Sequence, residues 1–219
     1  MKARHTTRHF HTQAALRGIF AVFAFLFAAT LFTGCGGKED EKKDEKKDEK
    51  EVEKKGQKEY EEGMAFFTAQ QYEPAVKQFA AAANLGHAEA QFQLGLCFAE
   101  GKGFQERNEE EAFKWFQKAA EQGNAEAQFR MAVHFGADLD PDNPAEVYDP
   151  NACDDVETVK WLKKAAEQGN VPAQVELGRY YIYGRGVSKD VKEGEKWLKK
   201  ASEAGSKGAK ATLEKLNRN

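Results

Sequence analysis

The chain has 219 residues, room for one or two ordinary domains; 32% of it is charged, the formal net charge is −3 and the mean hydropathy is −0.75. That balance gives no support for nucleic-acid binding, which needs a basic footprint to neutralise phosphates. The charge is also unevenly placed: Lys2, Arg4, Arg8 and Arg17 stand in the first 34 residues without an acid, so the chain from residue 35 onward carries −7.

Residues 1–34 combine that cationic start with an apolar run, Ile19–Phe32. These fourteen residues, apolar but for Thr30, are too few for a stable bilayer-spanning helix, which needs about 20, but they suit the hydrophobic region of a signal peptide. The run ends at Phe32-Thr33-Gly34-Cys35. This resembles the lipobox of bacterial lipoproteins, with Phe32 where that family usually has Leu. The resemblance implies a diacylglycerol on the Cys35 sulfur and an acyl chain on its amine. At about 0.8 kcal/mol per buried methylene, several chains anchor stably where one does not. The expectation is a signal peptide over 1–34 and a lipidated Cys35. The protein would then sit on the cell membrane or outer membrane, facing the periplasm.

From Lys38 to Lys58 nine basic and nine acidic residues surround a single apolar one, Val52. Asp40–Lys50 repeats with period four, which stacks Asp40, Asp44 and Asp48, and likewise Lys42, Lys46 and Lys50, as like-charged i,i+4 pairs. Each such pair disfavours helix by a few tenths of a kcal/mol, and nothing is apolar enough to bury. Residues 35–58 are expected to form a lipidated cysteine followed by a disordered spacer.

Residues 59–219 carry an internal repeat. Its first block reads Lys77-Gln-Phe-Ala-Ala-Ala-Ala-Asn-Leu-Gly-His87, then Lys114-Trp-Phe-Gln-Lys-Ala-Ala-Glu-Gln-Gly-Asn124, Lys160-Trp-Leu-Lys-Lys-Ala-Ala-Glu-Gln-Gly-Asn170 and Lys196-Trp-Leu-Lys-Lys-Ala-Ser-Glu-Ala-Gly-Ser206. A second block precedes each tryptophan: Gln91-Phe92 to Phe98, Gln128-Phe129 to Phe135 and Gln174-Val175 to Tyr181. Gly101-Lys102-Gly103 answers Gly184-Arg185-Gly186. Apolar residues recur at helical spacing within both blocks. Gly123 and Gly169 suit helix ends, and Asn124, Asn170, Ser206 and, by position, His87 suit the next N-cap. Gly95 and Gly178, inside a helical pattern, point to helices in close approach. Each unit therefore reads as an antiparallel helix pair that buries its apolar faces only by stacking on a neighbour.

These blocks resemble the Sel-one-like repeat family, relatives of the tetratricopeptide repeat, over residues 87–205. The segment from Gly63 to Ala82 looks like a plain tetratricopeptide unit. The implied fold is all-α: a right-handed solenoid with units near 59–86, 87–123, 124–169 and 170–205 and a capping helix over 206–219. By register with the family, Met64, Phe67, Leu96, Glu100, Val133, Arg179, Ile182 and Tyr183 would face a concave groove that takes a protein or peptide partner. The function implied is a membrane-anchored interaction scaffold of the bacterial envelope, with no cofactor and no catalysis. The alternative is an envelope enzyme or ligand-binding protein. The penicillin-binding or β-lactamase-like activity suggested for some relatives needs a serine with lysine three residues on. Ser188, Ser202 and Ser206 are followed there by Val191, Gly205 and Ala209.

The landmark glycines Gly86, Gly123, Gly169 and Gly205 show that the third unit is longer than its neighbours by about ten residues. The excess lies in 136–155, which holds Asp138, Asp140, Asp142, Glu146, Asp149, Asp154 and Asp155 and no base. Asp138, Asp140, Asp142 and Asp149 match positions 1, 3, 5 and 12 of a calcium loop. Asn143 stands where such a loop requires glycine, and an Asp replaces the usual bidentate Glu. The expectation is a solvated accessory loop, with calcium as its special case. Cys97 and Cys153 are the remaining thiols; a bridge between them and two free thiols both stay open.

Overall fold

The computed structural model describes residues 38–136 and 154–217, with side chains from residue 50 onward. Cys35, Asp138, Asp140, Asp142, Asp149 and Cys153 lie outside the described residues. The chain divides into Met1–Lys46 and Lys47–Asn219, and the second unit holds the repeat array. Among the described residues all regular structure is helical: α1 Lys38–Thr68, α2 Tyr72–Asn84, α3 Ala88–Glu100, α4 Glu109–Glu121, α5 Ala125–Phe135, α6 Asp155–Glu167, α7 Val171–Tyr183, α8 Val191–Glu203 and α9 Lys207–Leu216. From α2 to α9 every helix packs on the next in sequence, which is the contact pattern of a solenoid of helix pairs.

Helix α1 starts at Lys38 and so includes the period-four stretch, where the charge argument expected none. Two effects run the other way. Lys and Glu are good helix formers, and extending a helix already fixed by packing avoids the cost of nucleation. The fixed part is 56–67: Gly56 lies against Leu85 and His87, and Gly63 meets the Phe79 ring. Tyr60 stacks on His87 at 4.7 Å.

Local chemistry sets the helix boundaries. At the ends of α2, α4, α6 and α8 the N–H groups of Gly86, Gly123, Gly169 and Gly205 bond back three residues, and those of His87, Asn124, Asn170 and Ser206 bond back five, all at 3.0–3.1 Å. This double closure needs a left-handed residue, which glycine adopts without strain, here at φ of +90° to +97°. The following residue caps the next helix. His87 Nδ1, Asn124 Oδ1, Asn170 Oδ1 and Ser206 Oγ accept from the backbone N–H three residues on. His87 is thus a cap, as its place in the repeat implied.

A glutamine ladder joins the helix pairs. Buried Gln91, Gln128 and Gln174 each donate Nε2 to a carbonyl at the end of the preceding pair: Ala83, Ala120 and Ala166, all at 3.1 Å. Gln122 and Gln168, the last residues before the turn glycines, donate in turn to Gln91 Oε1 at 2.6 Å and Gln128 Oε1 at 2.8 Å. In the last unit that position is Ala204, and Gln174 Oε1 has no partner.

The mid-helix glycines do what their position suggested. A Cβ on Gly95 would stand 2.6 Å from the Phe116 ring, and one on Gly178 2.8 Å from Leu198, so α3/α4 and α7/α8 pack almost backbone to side chain. The three tryptophans hold one repeat position but are buried to different degrees. Trp161 is 7% exposed inside the central core, whereas Trp115 and Trp197 are half-buried at its flanks. Trp115 meets a cluster whose α2 wall is largely alanine, and Trp197 lies one helix from the end of the array. A lysine one turn on covers each indole: Lys118 at 3.8 Å, Lys164 and Lys200 at 4.2 Å.

Candidate partner-binding surface

Each first helix ends in a loop that returns to the second, and all three such loops within 87–205 close on the same bond. The N–H of Asn108 donates to Phe98 O at 2.9 Å, that of Asp154 to Phe135 O at 3.1 Å and that of Asp190 to Tyr181 O at 2.9 Å. Those carbonyls occupy one position of the repeat. The connections 101–107 and 184–189 therefore hang from one frame, and Asp154 meets the same repeat position at the start of α6. Tyr180 Oη donates to Gly136 O at 3.1 Å, which ties α7 to the start of the long loop. The two acids of 136–155 among the described residues have structural roles. Asp154 caps α6 through Glu157 N at 3.0 Å, and Asp155 accepts from Arg185 at 3.1 Å. Arg185 also lies 4.2 Å over the Tyr180 ring.

The two Gly-x-Gly loops seat against the preceding pair. Gly103 lies over the backbone of Tyr72, where a Cβ would come within 2.7 Å of the carbonyl, and Gly186 sits in the same way on Asp155. The residue between the glycines is a cation in both. Lys102 Nζ is 2.6 Å from Glu100, 5.1 Å from the Phe67 ring and 5.7 Å from the Tyr72 ring. The hydrogen bond to Glu100 raises the Lys102 ammonium above its ordinary range.

The eight groove candidates differ in exposure. Met64 and Phe67 are half-buried against the first core cluster, and Leu96 and Val133 against the central one. Ile182, expected to face the groove, is only 6% exposed and packs with Leu198 and Ala201. Gly194 in α8 leaves the space that Ile182 fills, so its register position turns it inward. Arg179 is half-buried and bonds through Nη1, at 2.8 Å, to Glu176, which is itself 1% exposed. Glu100 and Tyr183 are open to solvent, Tyr183 at 66%. Two accessible places result: Glu100 with Lys102, Phe67 and Tyr72, and Tyr183 at the end of α7. Lys102, Tyr72 and Glu176 were missed in sequence, although the cation shared by the two Gly-x-Gly loops was a signal for Lys102.

Cys97 is a free thiol in the core. Burial pushes it up to about 11, with Lys102 opposing and Glu100 adding. Among the described residues no group of His, Cys, Asp and Glu could hold a metal ion. None of their helices is long and apolar enough to cross a membrane.

A stack of helix pairs with exposed side chains at its loop edge is the build of an α-solenoid. Comparison gives the particular family. The Sel1 repeat matches at residues 88–124, 125–146, 152–170 and 171–206, more than half of the chain, and the protein belongs to the Sel1 repeat family. Proteins of this family are in general non-enzymatic scaffolds that bind other proteins. A solved relative is c5321, a protective antigen of uropathogenic Escherichia coli strains with an SLR fold. It is 27% identical with a TM-score of 0.61, over 75% of this chain and 35% of the antigen. A Sel1 repeat protein from Oxalobacter formigenes is 32% identical with a TM-score of 0.54, over 64% of this chain and 96% of that one. The chain thus spans about a third of the length of the antigen. No curated protein matches it.

Proposed function

We propose that the protein is a membrane-anchored scaffold of the bacterial cell envelope that binds a protein partner along the open edge of its repeat array. The observation that carries this is the pairing of a rigid Sel1 array with exposed side chains at its loop edge, Tyr183 and Glu100 among them. Rigid elements presenting mobile-edge residues are the usual way in which solenoids hold partners. The lipobox-like Phe32–Cys35 supplies the anchor: a thioether lipid on Cys35 keeps the array at a membrane face.

Site-specific photo-crosslinking in cells tests the binding edge. A crosslinker at Tyr183 or Glu100 should capture one discrete protein, and one at Lys118, on a second helix, should not. Equal capture from all three positions overturns the proposed edge. Replacing Cys35 by Ala should move the protein from the membrane to the soluble fraction. A variant that stays bound would show retention by the uncleaved leader.

A further inference from the structure

The turn between α1 and α2 breaks a rule that the other turns keep. Gln70 N bonds to Phe67 O at 3.0 Å and Gln71 N to Phe66 O at 2.9 Å, the same double closure that ends α2, α4, α6 and α8. There the left-handed position is glycine; here it is Gln70, at φ +59°, the one non-glycine residue with positive φ among the described residues. A glutamine side chain in that backbone region is strained where glycine would not be. Strain retained in this way points to use of the side chain.

Gln70 stands at the rim of a cleft of about 640 Å³, within the range of small-ligand sites. Gln71, Tyr72, Glu73, Phe104 and Gln105 line it with Gln70. Its floor exists because Gly103 lies directly on the Tyr72 backbone, which brings the 103–105 loop against the start of α2. Phe104 is held by stacking on Phe98 at 4.1 Å, and Tyr72 by the edge of Phe67 at 5.4 Å. Helices α3 to α9 all have a side-chain N-cap, but Gln71 makes no such bond to α2, so the cleft meets an uncapped helix start.

We propose that this cleft is a saccharide-binding site. Three carboxamides offer donors and acceptors side by side, the match for the vicinal hydroxyls of a sugar ring. Two fixed aromatic rings offer flat apolar surface for its C–H face. Glu73 is the one charged side chain among the lining residues, and the nearby Lys102, 5.7 Å from the Tyr72 ring, is neutralised by Glu100 at 2.6 Å, so the cleft suits a neutral ligand. The site lies at the first turn of the array and borders the cluster of Glu100, Lys102 and Phe67 through Tyr72, which belongs to both.

Titration of the ¹⁵N-labelled protein with chitotriose, cellotriose and maltotriose, each to about 10 mM, covers a Kd of about 1 mM tenfold. The expected result is saturable shifts from at least one sugar, confined to 70–74 and 103–105. Gln70→Gly relieves the strain, so it should raise the melting temperature and weaken binding at least tenfold. Gln105→Ala, on an exposed side chain, should weaken binding with no change in melting. Absence of shifts with all three sugars overturns the proposal, as does undiminished binding by Gln70→Gly. Identical shifts from a neutral tetrapeptide at lower concentration would also overturn it, by making the cleft a peptide site.

Discussion

Replacing Ala204 by Gln should stabilise the array by completing its glutamine ladder. Gln122 and Gln168 each supply the donor that satisfies the buried oxygen of the glutamine one helix back, at 2.6 and 2.8 Å. Gln174 is 7% exposed and its Oε1 has no such donor, because the equivalent residue is Ala204. A new bond of this kind is worth about 0.5–1.5 kcal/mol. Fixing part of a glutamine side chain at the surface returns some of that, out of a full ordering cost of about 1.5–2 kcal/mol. The balance is a gain of up to about 1 kcal/mol, or up to roughly 4 °C in a domain of this size. Urea unfolding followed by circular dichroism should show a higher midpoint with an unchanged m-value. The reverse changes, Gln122→Ala and Gln168→Ala, should each cost about 1–3 kcal/mol by stranding a buried acceptor. On a Gln174→Met background the Ala204→Gln gain should vanish, which isolates the pair in a double-mutant cycle. A neutral Ala204→Gln together with a harmless Gln168→Ala would refute the ladder as a source of stability.

Other perturbations follow from the packing. Trp161→Ala should cost about 3–5 kcal/mol in chemical denaturation, and Trp115→Ala and Trp197→Ala clearly less, since both are half-buried. Gly95→Ala gains about 1 kcal/mol in helix propensity but drives a methyl into the Phe116 ring. Overpacking of about 1–3 kcal/mol should make it a net loss in the same assay. Cys97, pushed up to about 11 by burial, should resist iodoacetamide at pH 8 until the protein unfolds. Because the folded thiol keeps a proton that the unfolded one releases, stability should fall as pH rises from 9 towards 11. Removing about ten residues between Asp138 and Asp149 should leave the melting curve within about 0.5 kcal/mol of wild type, since the bond from Asp154 N to Phe135 O closes the loop at either length. Unfolding of that variant would show that the loop is packed structure.

What could be read from the sequence divides along a physical line. The caps at His87, Asn124, Asn170 and Ser206 and the turn glycines are local: each acts on backbone within five residues, so the chain itself states them. The close approaches at Gly95 and Gly178 were legible for a related reason, because a helix tolerates glycine badly unless a neighbour needs the room. Exposure was harder. Ile182 turns inward because Gly194, twelve residues away on another helix, leaves space for it. Trp115 and Trp197 differ from Trp161 through their neighbours and not through their own block. The helical start of α1 depends on an anchor further along the chain, at Gly56 and Gly63, that a charge count does not register.

The ladder belongs to neither group, and it shows what a repeat can reveal beyond its fold. Gln91, Gln128 and Gln174 recur in the middle of a core-facing pattern, where a polar residue has no packing reason to stand. Gln122 and Gln168 recur before the turn glycine, where an exposed position would accept almost any residue. Repetition at two such sites implies a bond between them, because a buried amide needs its partners and a surface residue without a task drifts. The single departure, Ala204, then marks the place where the bond is missing, and Gln174 Oε1 is the atom left without it. In an array held by nearest-neighbour terms, one absent cross-link weakens one junction and leaves the others intact. The sequence therefore contained both the rule and its exception, and the geometry was needed only to join the two ends.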